Sequence, residues 1–214
     1  MTAWKPASGL LILSLLAGCS GGGSSATTAV GTGQTPEQLV TSLIEHLDRA
    51  EFEVAGTLTV PGQAALASLA EGATFSDVAE GLREGDSRIA SNFWSGFAQG
   101  AGGYLAGAVV TGTDDTVTKD GVDFHPVEVR PQVGPIRRIF VRGGDADRID
   151  LFASFAPGLA DRMPSAVERL LTTNTDDAGL ILQELEAIVP SLLVAAEIGD
   201  QPTEATQQIL RLVE

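Results

Sequence analysis

Thr116-Val117-Thr118-Lys119-Asp120-Gly121-Val122-Asp123-Phe124-His125-Pro126-Val127-Glu128-Val129-Arg130 is the stretch that decides the fold class. β-Branched residues lead into Asp120-Gly121, a dipeptide that tolerates the positive φ angles of a two-residue hairpin turn. Beyond it, Val127 and Val129 fall on one side of a pleat, and Glu128 and Arg130 on the other. Pro126 has no N–H to donate, so it predicts an edge position or a bulge within that strand. Residues 104–111 before the hairpin, and 136–142 and 148–155 after it, read as further strands. The links between them are short, with Gly143-Gly144-Asp145 joining the last two, which predicts an antiparallel meander of three or four strands.

Outside this region the apolar period changes to that of helices. Thr35-Pro36-Glu37-Gln38 combines a cap, a proline at the first helical position and a capping-box glutamine. Leu39, Val40, Leu43, Ile44 and Leu47 then form one helix face. Shorter helices follow over 51–58, 63–71, 76–84 (capped by Thr74 or Ser76 and ended by Gly85) and 89–97. After the strands, helices are expected over 164–172, over 176–198 with a kink at Pro190, and from Pro202 to Val213. The order predicts an α+β fold, with N-terminal helices packed on an antiparallel sheet over 35–156 and a C-terminal helical extension over 157–214.

Composition narrows the function. The chain has 214 residues, 13 Lys plus Arg against 28 Asp plus Glu, a net charge of -15, one Cys and two His. An acidic surface opposes sequence-independent binding of nucleic acid, whose phosphates need neutralising cations. One Cys forms no internal disulfide or Cys-rich zinc site, and two His form no His-rich metal centre. Within residues 35–214 no G-x-S-x-G pattern occurs, and no H-E-x-x-H, G-x-x-x-x-G-K-[ST] or C-x-x-C pattern occurs anywhere. Neither cofactor nor metal is expected.

The N-terminus predicts an address. Lys5 precedes the apolar run Gly9-Leu10-Leu11-Ile12-Leu13-Ser14-Leu15-Leu16, which is too short to span a bilayer. It ends in Leu16-Ala17-Gly18-Cys19, which resembles the lipobox of bacterial lipoproteins. The resemblance implies a signal peptide over 1–18, cleavage before Cys19 and acylation of its thiol, so that the bilayer is a partner through Cys19. Residues 19–34 then supply the lipidated Cys and a Gly/Ser tether, placing the domain on the extracytoplasmic face of the cell membrane. Cleavage removes Lys5 and no acid, leaving 12 basic and 28 acidic groups, a net charge of -16.

Within the domain, Leu47-Asp48-Arg49-Ala50-Glu51-Phe52-Glu53-Val54-Ala55, followed by Pro61-Gly62, resembles the opening helix pair of the nuclear transport factor 2-like superfamily. That resemblance covers residues 35–155 and implies a curved sheet enclosing a conical pocket. The pairing of a lipobox with one α/β domain is also similar to mycobacterial-type lipid-carrier lipoproteins, which implies an apolar cavity. Phe93, Trp94, Phe97 and Tyr104 cluster around Gly100-Ala101-Gly102-Gly103, filling the core or, with Phe124 and His125, lining such a pocket.

Three other groups carry residue types that could do chemistry. His125 and Asp123 lie two residues apart on one strand face, the spacing for a general base and its orienter or for an exposed strand pair. Asp114, Asp115, Asp120 and Asp123 lack a calcium loop's ligand pattern, because Thr116 and Thr118 interrupt it, and read as solvated hairpin acids. Arg130, Arg137, Arg138, Arg142 and Arg148 form either an anion or headgroup site or cross-strand pairs with Glu128, Asp145, Asp147 and Asp150. The expected function is a membrane-anchored, non-catalytic binding or assembly module with an apolar ligand or a protein as its partner. The alternatives are a lipid carrier and a small pocket enzyme using His125 and Asp123.

Overall fold

The computed structural model describes residues 33–101, 105–160, 163–198, 207, 210 and 211. The signal, Cys19 and its tether lie outside the described residues, as do Tyr104 and most of the helix expected from Pro202. Gln207, Leu210 and Arg211 of that stretch are helical.

Thr35 opens α1 (Pro36–Asp48) with the expected capping box, its hydroxyl accepting from Gln38 N–H while the Gln38 side chain accepts from Thr35 N–H. Next come α2 (Phe52–Thr57), α3 (Gln63–Ser68) with a 3-10 turn at Leu69–Glu71, α4 (Phe75–Glu84) capped by Thr74, and α5 (Ser87–Ala101). The strands are β1 (Val109–Gly112), β2 (Val117–Lys119), β3 (Val122–Arg130), β4 (Arg137–Arg142) and β5 (Arg148–Asp150). Helices α6 (Leu151–Ala160), α7 (Pro164–Leu171), α8 (Asp176–Ala187) and α9 (Val189–Ile198) follow. The fold is α+β, as the element order predicts.

Asp120 and Gly121 have φ of 49° and 77°, and the hairpin they form pairs Val117 with Phe124 and Lys119 with Val122. Both β1 and β2 pair antiparallel with the same flank of β3, since β4 occupies the other flank, so five strands make a sheet four strands wide. This arrangement accommodates Pro126 inside a central strand. The β1 register ends at Gly112 opposite Val127 and the β2 register begins at Val117 opposite Phe124, leaving His125 and Pro126 unpaired on that flank. The missing N–H therefore meets a notch in the edge, where Thr113 Oγ1 donates to Pro126 O at 2.9 Å. At the opposite edge, Ile149 N–H donates to Leu58 O and Val60 N–H to Ile149 O, each at 2.9 Å, so the segment after α2 covers β5 as a short parallel partner.

Two strand expectations are corrected. The strand expected over 104–111 begins only at Val109, because Leu105–Gly107 form a turn with Gly107 at φ 67° and with Leu105 buried. The strand expected over 148–155 stops at Asp150. Asp150 Oδ1 accepts from Ala153 N–H at 2.8 Å, an N-cap that turns Leu151 onward into α6.

Val127, Val129, Ile139, Val141 and Ile149 project from one sheet face into the main core, which α1 enters with Leu39, Val40, Leu43 and Ile44. On the other face Phe124 and Phe140 pack against Ala153 of α6 and Val194 of α9. The main core also takes Val167, Leu170, Ile181, Leu185, Ile188 and Leu192, so the C-terminal helices build the same interior as the N-terminal ones. At about 1.5–3 kcal/mol for each large apolar side chain removed from water, these residues are integral to stability. α8 and α9 are bent by 42° at the break before Pro190. No single helix among the described residues is long and apolar enough to cross a membrane.

Candidate functional site

Phe93, Trp94 and Phe97 come together on α5 because three- and four-residue spacings place them on neighbouring turns. Trp94 meets Phe93 edge-on at 5.0 Å between ring centroids and Phe97 at 5.2 Å, and Phe155 of α6 closes the group at 5.3 Å from Phe97. Trp94 is fully buried, and its Nε1–H finds no acceptor among the described residues. Beside this cluster lies an open cleft of about 230 Å³, walled by Ile44, Leu47, Phe97, Ala98 and Leu105 with Asp48 at its side. Ligand pockets for drug-sized molecules occupy roughly 300–1,000 Å³, so this cleft is small. A larger depression, about 410 Å³, has a mixed lining that sets Ala73 and Ile89 among Ser68, Glu71, Asp77, Arg88 and Asn92.

Phe124 and His125, also considered as pocket walls, lie elsewhere. Phe124 packs on the far side of the sheet with Phe140, and strand alternation turns His125 to the opposite face. His125 Nδ1 is 3.3 Å from Thr116 Oγ1 across the notch in the edge strand, and its Nε2 lies over Gly143, where an added Cβ would come within 3.3 Å. Asp123 Oδ1 instead accepts from Thr118 Oγ1 at 2.6 Å. The two residues therefore share a strand but each is bonded to a different threonine. Alternation alone separates Phe124 from His125, a point available from the sequence.

Sequence reasoning missed a buried polar knot. Asp150 is fully buried, and its Oδ2 accepts from Gln63 Nε2 at 3.0 Å and Ser191 Oγ at 2.7 Å. Gln63 Oε1 accepts Leu151 N–H at 2.6 Å, and Ser154 Oγ donates to Asp150 O at 2.6 Å. A second buried acid, Asp86, accepts from Ala64 N–H at 3.1 Å and so caps α3, which has only Gly62 at its own N-cap. Burial pushes the Asp86 carboxyl above its ordinary value, and backbone donors at Ala64, Ala65 and Gly62 offset part of that rise. Asp150 ties α3, α6 and α9 together with both of its carboxylate oxygens engaged, and Asp86, just before α5, joins that end to α3. Among the described residues no group of three or more His, Cys, Asp or Glu side chains is arranged to hold a metal ion.

The strand arginines are divided. Arg138 faces Glu128 in register at 3.8 Å, as cross-strand pairing predicts. Arg148 Nη1 donates to the Asp147 carbonyl at 3.0 Å, while Arg148 and Arg142 lie directly opposite each other. Asp150, considered as an arginine partner, is the buried cap described above. No protein-family model, no curated protein and no solved structure matches this chain.

Proposed function

We propose that this chain is an extracytoplasmic lipoprotein, held to the cell membrane by acylated Cys19, whose α+β domain acts as a non-catalytic binding or assembly module. The observation that carries this reading is the position of the lone Cys. It follows a signal-length apolar run and Leu16-Ala17-Gly18, and it precedes Ser20-Gly21-Gly22-Gly23-Ser24-Ser25. The interior supports action through a surface. Trp94, Phe124, Phe140 and Phe152 fill the space between sheet and helices, and the apolar cleft beside Phe97 is small. Metabolic labelling with a palmitate analogue tests the anchor. The native chain takes up label and partitions with membranes, whereas a Cys19→Ala variant does neither; equal labelling of both refutes the reading.

One observation favours the carrier alternative, namely the unpaired Trp94 Nε1–H within the aromatic cluster next to the cleft. Native mass spectrometry of the purified protein separates the two readings. Stoichiometric co-purifying lipid supports a carrier, and a protein free of lipid apart from that on Cys19 supports the surface module.

A further inference from the structure

The β3–β4 connection presents apolar side chains between cations at the end of the sheet. It reads Arg130-Pro131-Gln132-Val133-Gly134-Pro135-Ile136-Arg137-Arg138, and every residue from Gln132 to Arg138 is exposed. Val133 is 85% exposed, Ile136 46%, and Val109, which pairs with Arg130 on the adjoining strand, 63%. These are three of the five large apolar side chains left exposed among the described residues, and they occupy one end of one sheet. The loop is braced. Pro131 is buried, and the Gln132 amide lies so close over Gly107 that a Cβ there would come within 2.5 Å of Nε2. Gly134 turns at φ 112° and Pro135 restricts its own φ, so Val133 is held outward by the backbone.

The charge at this end opposes that of the whole. Residues 129–138 contain three arginines and no acid, in a chain whose net charge is -15. Arg130 is exposed, and Arg138, also exposed, reaches Glu128 only at 3.8 Å. Arginine suits phosphate because its planar fork donates two parallel hydrogen bonds. An apolar tip ringed by arginines matches the boundary between acyl chains and headgroups, where both contacts are met at once.

We propose that the β3–β4 hairpin end seats on an anionic phospholipid surface, with Val133 and Ile136 entering the headgroup layer and Arg130 and Arg138 meeting lipid phosphates. The inference builds on the Cys19 anchor, which brings the domain beside a bilayer, and its test reads the two separately. A Val133→Cys variant of the acylated protein carries one free thiol, because Cys19 is blocked by lipid. That thiol is labelled with an environment-sensitive fluorophore, and the protein is reconstituted on phosphatidylcholine vesicles with or without phosphatidylglycerol. Flotation reports the anchor; a blue shift and quenching by nitroxide-bearing lipids report the hairpin.

With phosphatidylglycerol present, the probe at 133 is quenched several-fold more than one at Leu171→Cys on α7. Adding Arg130→Glu and Arg138→Glu, with circular dichroism unchanged, abolishes the difference. A floating protein whose 133 probe is as wet as the 171 probe on both vesicles overturns the hairpin contact while leaving the anchor intact. Failure to float refutes the anchor, and the response of the 133 probe to excess added vesicles then decides the hairpin by itself. A probe that stays wet on lipid and becomes covered only on adding soluble envelope proteins overturns the lipid contact in favour of a protein partner.

Discussion

Asp150 Oδ2 lies between two donors, Gln63 Nε2 and Ser191 Oγ, while Oδ1 caps α6. Replacing it with Ala removes the cap and leaves two buried polar groups unpaired, a loss of about 3 kcal/mol. Urea denaturation of Asp150→Ala is expected to show that loss as a lower midpoint with an unchanged slope, and a loss under about 0.5 kcal/mol would contradict the role assigned. Asp86 makes a pH prediction. Burial raises its folded-state value, so the folded chain holds this proton more tightly than the unfolded chain. Its contribution is complete below the ordinary value of 3.8 and fades as pH rises through the higher folded value. Glu37, lowered first by its hydrogen bond with Thr35, contributes with the opposite sign, present above 4.5 and lost as pH falls through its folded value. Urea midpoints measured across this range should therefore show wild type losing stability relative to Asp86→Asn as pH rises from below 3.8. A difference independent of pH would exclude Asp86 as the source. Little of this was legible beforehand. An Asp followed three residues later by a helical N–H is a local signal, but Leu151, Phe152 and Phe155 suit strand or helix equally. The partners Gln63 and Ser191 are 87 and 41 residues away, beyond any local pattern.

Elements whose reasons are local were legible, and those whose reasons are tertiary were not. The Thr35 capping box, the Asp120-Gly121 hairpin, the Thr74 cap and the break at Pro190 all act within a few residues, and each is found where the sequence predicts it. Pro126 predicts a bulge or an edge position, but that two successive strands share one flank of β3 around it depends on pairing with β4. Helix contacts supply a paired test. On α2, a Cβ at Gly56 would come within 2.6 Å of the Ala90 Cβ on α5, whereas a Cβ at Gly179 on α8 would meet nothing within 4 Å. Gly56→Ala should cost about 1–3 kcal/mol through overpacking. Gly179→Ala should gain about 0.5–1 kcal/mol through helix propensity. Thermal melts of the two variants against wild type check both signs, and a stabilised Gly56→Ala would show that α2 and α5 do not meet as closely as described.

At the scale of the whole molecule, one interior includes residues from α1 through α9, so the helices after residue 157 are part of the fold's stability as well as its length. The described residues gathered by sequence as a pocket wall divide among that interior, the far side of the sheet and the notch at the β1–β2 edge, because alternation and topology disperse what is near in sequence. What remains outward is a strongly acidic surface with an arginine-bearing tip at one end of the sheet. Such a surface is repelled by an anionic membrane except at that tip, so a lipid tether and an oriented contact would act together. Raised salt should weaken the oriented contact while leaving the tethered protein on the membrane, a separation measurable by the 133 probe and flotation in parallel. The anchor is the central claim, and it is tested most directly by the mass of the N-terminal peptide of the membrane-bound protein. The account predicts a chain that begins at Cys19 and carries a thioether-linked diacylglycerol; a chain that begins elsewhere, or an unmodified Cys19, would contradict it.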